Sequence, residues 1–467
     1  GEVVYLVSTE PVASAEYVLV APQDKPLYVA ATALPGLERT VREAAGRRVY
    51  RFAARDVPAL RPEPRMPPLA ELAAQVHAST FPNWEAVGKW YWGLVHDRLD
   101  VDDVLRRRVR ELTADLGDER AKIEAVFRYA ASRTRYVALE LGIESIRPRR
   151  AALTLARGWG DCKDKAALIV AMLRELGIEA ELVLVRTGLR GQLDTSIASL
   201  APFDHAVAYV PSLDLYLDAT AEASGAMELP ALDRAAVGLR ITGGAGRLVR
   251  LPDPPAESSA ESRRFELTLL DGGALAFRAE LRAQGVSAPA WRERFQAEAT
   301  RRERIGAALA SLLGPVELAP GTRGVRAGDL ELADRPATMQ LEGRAEARAE
   351  SGSYRVPVGP SYGLTAQYAS LARRERPVVL GAAQSRADVW TLRLRPGQRV
   401  LSTPEPKQVE ASFGSFALAV DAAPDRVTVS TTLTLRRSRI QPGEYDEWRA
   451  FCEAVDGAAG PRVVVGE

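Results

Sequence analysis

The segment from Gly158 to Lys165 constrains this chain more than any other. It reads GWGDCKDK and stands directly before a helical pattern. Apolar residues recur there at helical spacing and end before a glycine suited to a helix C-terminus: Ile169, Met172, Leu173, Leu176 and then Gly177. Asp161 is the predicted N-cap, and Asp164, three residues later, can complete a capping box. The sequence therefore predicts a buried helix with Cys162 in its first turn.

Cys162 is the predicted nucleophile. In the first turn of a helix, its sulfur faces unpaired N–H groups and the positive end of the helix dipole. Lys163 and Lys165 add positive charge nearby, and such surroundings favour the reactive thiolate. Taken alone, the same residue fits equally well as a small apolar side chain that fills a gap in the core. The choice between a nucleophile and a core residue depends on whether a base lies within reach of the Cys162 sulfur.

A predicted β-hairpin downstream supplies a base and an acid. Residues 203–210 alternate as a strand that carries His205, and residues 215–220 return as a strand that carries Asp218. If a two-residue turn follows Val210, His205 lies directly opposite Asp218, with Cβ atoms about 5 Å apart. A loop two residues longer keeps them on one face as diagonal neighbours, whereas a slip of one residue separates them.

Together these residues form a predicted Cys-His-Asp triad. Cys162 would attack a carbonyl carbon, and His205 would take up and return the proton. Asp218 would orient the imidazole and stabilise its charged form. The triad predicts cysteine-dependent acyl transfer or hydrolysis through a thioester, because a protein that only binds has no physical need for these residue types on facing elements.

Three segments resemble the core of the bacterial transglutaminase-like family: GDCKDKA at 160–166, FDHA at 203–206 and LDAT at 217–220. The order Cys, His, Asp along the chain is also that of papain-like enzymes. The resemblance implies a papain-like or transglutaminase-like core that acts on peptide or glutamine carboxamide bonds of a protein or peptide substrate. It implies either a cysteine peptidase or an acyltransferase. The residues do not choose between these outcomes, and we lean towards hydrolysis.

The resemblance also raises the question of how the oxyanion is held. Papain-like enzymes use an upstream glutamine, but no glutamine lies between Gln75 and Cys162. The backbone N–H of Cys162 would therefore need a second donor, for which Tyr136 and Trp159 are the candidates. For each aromatic residue, simple packing is the alternative.

The chain is predicted to be a multidomain α+β protein, because 467 residues exceed one ordinary core. We expect a papain-like or transglutaminase-like core between β-sandwich-like regions. The N-terminal region resembles the β-rich domain that often precedes such cores, and it begins inside a strand, as a truncated domain would. Within the core, Asn83 and Asp118 are predicted N-caps of amphipathic helices. The predicted boundaries are a β-rich N-terminal domain at 1–66, a catalytic core at 67–251, a linker at 252–262 and a β-sandwich-like C-terminal domain with helices at 263–467.

The composition argues against several other functions. A formal net charge of +1 gives no reason to propose nucleic acid or an anionic membrane surface as a partner. No run of about 18 apolar residues indicates a membrane span. Two cysteines and three histidines without metal-site spacing predict no metal centre, and no phosphate-binding glycine loop indicates a cofactor. Cys452, on a predicted C-terminal helix, is expected to pack in a core.

One alternative function belongs to another class: a non-catalytic β-rich binding scaffold that retains a transglutaminase-like fold. Its cysteine would react at the ordinary rate of a thiol. The family resemblance points to the periplasm or cell envelope, with any signal segment removed from a chain that begins at Gly1. The sequence leaves the substrate and the oligomeric state open.

Overall fold

The computed structural model describes residues 1–139, 141–328, 330–350 and 352–466. The chain forms two compact units. Unit 1 comprises Gly1–Glu63, Pro67–Glu222 and Leu229–Pro252, and unit 2 comprises Pro64–Met66, Ala223–Glu228 and the chain from Asp253 onward. Within the described ranges, no helix has the length and apolar character needed to cross a membrane.

The helices of unit 1 are α1 (Leu69–Leu72), α2 (Trp84–Val95), α3 (Asp103–Thr113), α4 (Glu119–Arg133), α5 (Ala151–Arg157) and α6 (Cys162–Glu175). The side chains of Asn83, Asp102 and Asp118 accept hydrogen bonds from backbone N–H groups in the first turns of α2, α3 and α4. The two N-caps predicted from the sequence, Asn83 and Asp118, are therefore confirmed.

The strands of unit 1 are β1 (Glu2–Tyr5), β2 (Val12–Pro22), β3 (Tyr28–Ala31), β4 (Glu38–Ala44), β5 (Arg47–Val57), β6 (Gln75–Ser79), β7 (Arg135–Tyr136), β8 (Trp159–Gly160), β9 (Glu181–Arg186), β10 (His205–Val210), β11 (Leu215–Leu217), β12 (Val237–Thr242) and β13 (Ala245–Arg250). An antiparallel sheet in the order β11-β10-β9-β12-β13 positions the candidate site. Two smaller sheets have the orders β2-β5-β4 and β1-β6-β3, and β7 pairs with β8 in parallel.

The core of unit 1 forms where α6 lies against β10. Strand β10 reads HAVAYV, and every residue after its histidine is buried. Helix α6 is buried from Cys162 to Leu173, so it is covered on all sides instead of presenting one apolar stripe. This packing brings the N-terminus of α6 close to the first residue of β10.

Unit 2 contains helices α7 (Ser287–Phe295), α8 (Glu298–Leu313), α9 (Gly321–Gly324), α10 (Leu364–Tyr368) and α11 (Tyr445–Asp456). Its strands are β14 (Ala260–Leu269), β15 (Ala274–Ala283), β16 (Glu317–Leu318), β17 (Val325–Ala327), β18 (Ala337–Glu346), β19 (Arg348–Glu350), β20 (Ser353–Pro357), β21 (Val378–Val379), β22 (Gln384–Arg393), β23 (Arg399–Ser402), β24 (Lys407–Ala411), β25 (Gly414–Ala423), β26 (Arg426–Leu435), β27 (Arg439–Ile440) and β28 (Arg462–Gly466).

A nine-stranded sheet dominates unit 2, in the order β16-β18-β15-β14-β22-β26-β25-β24 with β17 paired to β18. A second sheet has the order β19-β20-β28-β23. Cys452 on α11 is fully buried, as expected from the sequence. The predicted α+β class is confirmed, whereas the β-sandwich and the bounds of the four predicted segments stay predictions.

Candidate active site

The candidate nucleophile lies at the N-terminus of α6. Cys162 is the first residue of the helix and is 7% exposed. The Asp161 side chain accepts a hydrogen bond from the backbone N–H of Asp164 at 3.2 Å, and the Asp164 side chain accepts one from the backbone N–H of Asp161 at 3.3 Å. This capping box confirms the predicted helix start. Arg149 forms an ion pair with Asp164 at 2.9 Å, which ties the helix start to the segment before it.

Both lysines of the segment have structural partners. The Nζ atom of Lys163 donates a hydrogen bond to Asp161 Oδ2 at 2.5 Å. Lys165 is fully buried, and its Nζ atom donates to the backbone carbonyls of Ala131 at 3.3 Å and Thr134 at 2.6 Å. The two lysines therefore stabilise the fold around α6, and the helix terminus and the histidine are the main sources of positive charge at the sulfur.

The hairpin of β10 and β11 has a longer turn than the simplest prediction. Val210 pairs with Leu215, so four residues form the turn where two were predicted. The two-residue turn is wrong because Pro211–Leu213 form a 3-10 turn, which needs more chain than a tight hairpin loop. The observed turn is the two-residue extension that keeps His205 and Asp218 on one face as diagonal neighbours.

His205 lies between the other two predicted residues. Its Nε2 atom is 3.2 Å from Asp218 Oδ2, and the Cys162 side chain is among the groups that raise the pKa of its ring. Because Nε2 faces the carboxylate, Nδ1 is the nitrogen left for the sulfur. Thr220 holds Asp218 in place, since its backbone N–H and its hydroxyl donate to Oδ1 at 2.9 and 2.7 Å. The structure thus brings the three residues together.

His205 and Asp218 each favour the charged form of the other. Burial by itself would lower the pKa of His205, but hydrogen bonds to Asp218 and Cys162 and the charges of Asp218 and Asp233 raise the pKa to about 11. Burial also opposes ionisation of Asp218, yet hydrogen bonds from His205 and Thr220 hold the pKa of that carboxyl below its usual range. The pair is therefore imidazolium and carboxylate at neutral pH, with a proton available for transfer.

A second carboxyl group, which the sequence analysis missed, lies beside this pair. Asp233 belongs to the loop before β12 and is 1% exposed. One of its oxygens, a His205 ring nitrogen and an Asp218 oxygen all lie within 4.8 Å of one another. Burial, followed by the negative charge of Asp218, raises the pKa of Asp233 to about 7. The surrounding sequence LPALDRAA has neither helix nor strand periodicity, so no pattern linked this residue to the hairpin.

The two aromatic candidates for the oxyanion lie on the segments that precede α6. Strands β7 and β8 pair in parallel, with Tyr136 opposite Gly160. Tyr136 is 43% exposed, whereas the half-buried Trp159 ring lies under the guanidinium groups of Arg149 and Arg157. The roles of these side chains and of the nucleophile's own backbone N–H as oxyanion donors stay predictions.

Among the described residues, one group has ligand atoms close enough together to hold a metal ion. It consists of His205, Asp218 and Asp233. His205 Nε2 already lies 3.2 Å from Asp218 Oδ2, and an Asp233 oxygen lies within 4.8 Å of both groups. These contacts use the lone pairs and protons that a cation would have to displace. The arrangement therefore fits proton transfer better than cation binding.

Comparison with protein families finds two matching regions in this chain. Residues 106–211 match the model of the transglutaminase-like superfamily, and residues 354–465 match DUF3858, a domain of unknown function with a solved structure. The first match includes Cys162 and His205 and ends before Asp218. No curated protein matches the chain.

Among solved structures, a protein of Parabacteroides distasonis ATCC 8503 described as a "putative protease" is similar to this chain. The match has 16% sequence identity and a TM-score of 0.66, and it covers 100% of this chain and 75% of the other. A Cytophaga hutchinsonii protein described as a "putative cysteine protease" matches at 16% identity over 47% of this chain and 70% of its own, with a TM-score of only 0.21. The Parabacteroides match and the transglutaminase-like family match together confirm the predicted fold, a transglutaminase-like core with β-rich flanks.

Proposed function

We propose that this chain, which contains a transglutaminase-like domain at residues 106–211, is a cysteine-dependent enzyme that acts on peptide or glutamine carboxamide bonds of a protein or peptide. The observation that carries this proposal is the arrangement of three residues: Cys162 is the first residue of α6, His205 interacts with its side chain, and His205 Nε2 lies 3.2 Å from Asp218 Oδ2. The hydrogen bonds from Thr220 to Asp218 support the proposed orienting role of that carboxylate. The solved structure of the same fold is described as a "putative protease", which agrees with the proposal by analogy.

Acylation begins with the proton on His205 and the negative charge on the Cys162 sulfur. The sulfur attacks the carbonyl carbon, and the C=O electron pair moves onto the oxygen, which the backbone N–H of Cys162 and a second donor stabilise. When the intermediate collapses, the C–N bond breaks and His205 gives its proton to the departing amine or ammonia. A thioester on Cys162 and a neutral imidazole remain.

Deacylation uses the same residues in reverse. His205 removes a proton from the incoming nucleophile, which attacks the thioester carbonyl, and the sulfur departs as thiolate beside the restored imidazolium. Asp218 orients the ring in both steps and stabilises its charged form. Water as the nucleophile gives hydrolysis, and a primary amine gives transfer or cross-linking.

We favour hydrolysis, in the manner of a cysteine peptidase. In this proposal residues 67–251 form the catalytic core, and the regions at 1–66 and 263–467 support it or recognise the substrate. The outcome depends on whether the site admits an amine while it excludes water. Product analysis therefore decides the reaction type.

The test is incubation with a peptide library, with and without an added primary amine, followed by mass spectrometry. New peptide termini indicate cleavage, glutamate in place of glutamine indicates deamidation, and an amine adduct indicates transfer. Cys162→Ala should abolish every product, whereas Cys452→Ala, which removes the other cysteine from a core in unit 2, should retain them. Products that persist in Cys162→Ala would contradict the proposal. If native protein gives no product and Cys162 labels at the ordinary rate of a thiol, the chain is the non-catalytic scaffold.

A further inference from the structure

Asp233 places a second buried carboxyl group beside that of Asp218. It lies in the loop between β11 and β12, almost fully buried, and one of its oxygens lies within 4.8 Å of an Asp218 oxygen and of a His205 ring nitrogen. Two ionised carboxylates repel each other at such a distance, and an ionised carboxylate is an acceptor only, so a hydrogen bond between them requires a proton on one of the two. The donors around the two groups indicate which of them would carry it.

Asp218 and Asp233 differ in the hydrogen-bond donors around them. Asp218 accepts from His205 Nε2 and from the backbone N–H and hydroxyl of Thr220, so its negative charge is well stabilised. The Oδ2 atom of Asp233 is buried, and no described residue directs a hydrogen-bond donor at it. A buried charge without donors is costly, so the shared proton resides on Asp233.

We infer that Asp233 is a positioning residue: in its protonated form it donates a hydrogen bond to Asp218 and keeps that carboxylate aligned with His205. This inference rests on the proposed function, because it assigns Asp233 a role through His205 in the same reaction. Loss of the Asp233 proton converts the hydrogen bond into repulsion between two adjacent carboxylates. The site then loses the alignment of Asp218 with the imidazole.

The groups around Asp233 place this change near neutral pH. Burial, the charge of Asp218 and the charge of Asp204 raise its pKa, and the positive charge of His205 opposes them, so that the pKa is about 7. The neighbouring Arg234 directs its Nε atom to the carbonyl of Leu229. Lys165 acts on the pair through its interaction with Asp218. The hydrogen bond is therefore present below about pH 7 and is lost above it.

The test follows the His205 ring directly by NMR on full-length protein with labelled histidine. The chain has three histidines, so replacing each in turn assigns its signal. In native protein the His205 signal should shift in a step near pH 7, when Asp233 loses its proton. In Asp233→Asn the step should disappear, because the amide donates to Asp218 at every pH.

Asp214→Asn is the matched control. It makes the same chemical change at an exposed aspartate in the turn of the β10–β11 hairpin, where Asp214 accepts a hydrogen bond from Tyr209. The step near pH 7 should persist in this variant. A step that is unchanged in Asp233→Asn, or absent from native protein, would overturn the inference.

Turnover provides a second readout where the enzyme is active. The kcat of native protein should fall as pH rises through about 7, and Asp233→Asn should lose this decline while its KM stays similar. Asp233→Leu, which has no donor, should lower kcat on both sides of that pH. A merely structural role would leave the decline in place in Asp233→Asn. Since the NMR step needs no substrate, an inactive protein that shows it would contradict the proposed function and leave the positioning role supported.

Discussion

The Nε2 atom of His205 lies 3.2 Å from Oδ2 of Asp218, although the two residues are not directly opposite in their hairpin. The observed pairs, such as Ala208 with Leu217, place Asp218 on the diagonal from His205. Diagonal neighbours on one face remain within reach of each other because side-chain direction repeats every two residues. A turn longer by an even number of residues therefore preserves the pair.

The role of Asp218 predicts a selective loss of turnover in Asp218→Ala. Without the carboxylate, the imidazole loses its orientation and the partner that stabilises its charge, so kcat should fall by on the order of 10²-fold or more. The KM should change little, because Asp218 is buried and acts on the reaction through His205. Steady-state kinetics test this expectation.

Thr220→Val is the graded control for that experiment. It removes the hydroxyl that donates to Asp218 Oδ1 and leaves the backbone N–H in place. Its loss of kcat should therefore be much smaller than that of Asp218→Ala. Equal losses in the two variants, or a change confined to KM, would contradict an orienting role for Asp218.

Local rules were sufficient to predict the helix start and the shared face of the hairpin. Asp161 and Asp164 cap α6 through bonds that span three residues, which is a short-range pattern. The shared face of His205 and Asp218 depends only on whether the turn changes by an even number of residues, so it survived an error in turn length. Asp233 was not predictable, because its position depends on how an irregular loop folds back onto the sheet.

Lys165 also had a different role from the one its place in the sequence suggested. A lysine near a nucleophile is readily interpreted as a source of positive charge. In the structure its Nζ atom donates to the Ala131 and Thr134 carbonyls at the end of α4. That partner set lies more than 30 positions earlier in the chain, so no local pattern could reveal it.

The buried position of Lys165 predicts a large loss of stability in Lys165→Met. The substitution leaves two carbonyl groups without their buried donor, and each unsatisfied group costs about 1–3 kcal/mol. Glu222→Gln is the control, because this residue pairs with Lys165 at 3.6 Å through a carboxylate that is 55% exposed. It should cost at most about 1 kcal/mol. Native-state hydrogen exchange of α6 amides measures the stability loss in each variant. Equal losses in the two variants would contradict the role of Lys165 as the buried donor to these carbonyls.

Replacing either of two glycines in α2 with alanine should change the stability of the protein, but in opposite directions. A Cβ atom on Gly88 would lie 2.1 Å from the Cα atom of Gly246 in β13, so Gly88→Ala forces α2 away from the sheet. Such overpacking typically costs about 1–3 kcal/mol. A Cβ atom on Gly93 would meet nothing within 4 Å. Gly93→Ala should therefore stabilise the helix by about 0.5–1 kcal/mol.

The two alanine variants are compared in parallel by urea denaturation followed by circular dichroism, with hydrogen exchange of α2 amides as the local measure. The substitutions lie five positions apart on one helix. A general effect of helix propensity would therefore stabilise the protein in both variants. Stabilisation by Gly88→Ala would show that α2 and β13 are not in the close contact that the structure describes.

The last prediction concerns the reactivity of the two cysteines. The pKa of His205 is raised to about 11, so its ring stays positively charged through neutral and mildly alkaline pH. This cation stabilises negative charge on the neighbouring Cys162 sulfur, so Cys162 should be alkylated much faster than Cys452 at every pH tested. His205→Ala removes the cation, and the labelling rate of Cys162 should then fall.

Cys452 provides the internal control in the same sample. It is fully buried, and burial, with the charges of Asp456 and Glu453, holds the pKa of its thiol far above the usual value. It should label slowly at every pH, in native protein and in His205→Ala alike. Labelling rates of both cysteines, measured by mass spectrometry from mildly acidic to alkaline pH, test the ion pair. Equal rates at the two sites, unaffected by His205→Ala, would contradict an activated Cys162 and favour a binding scaffold.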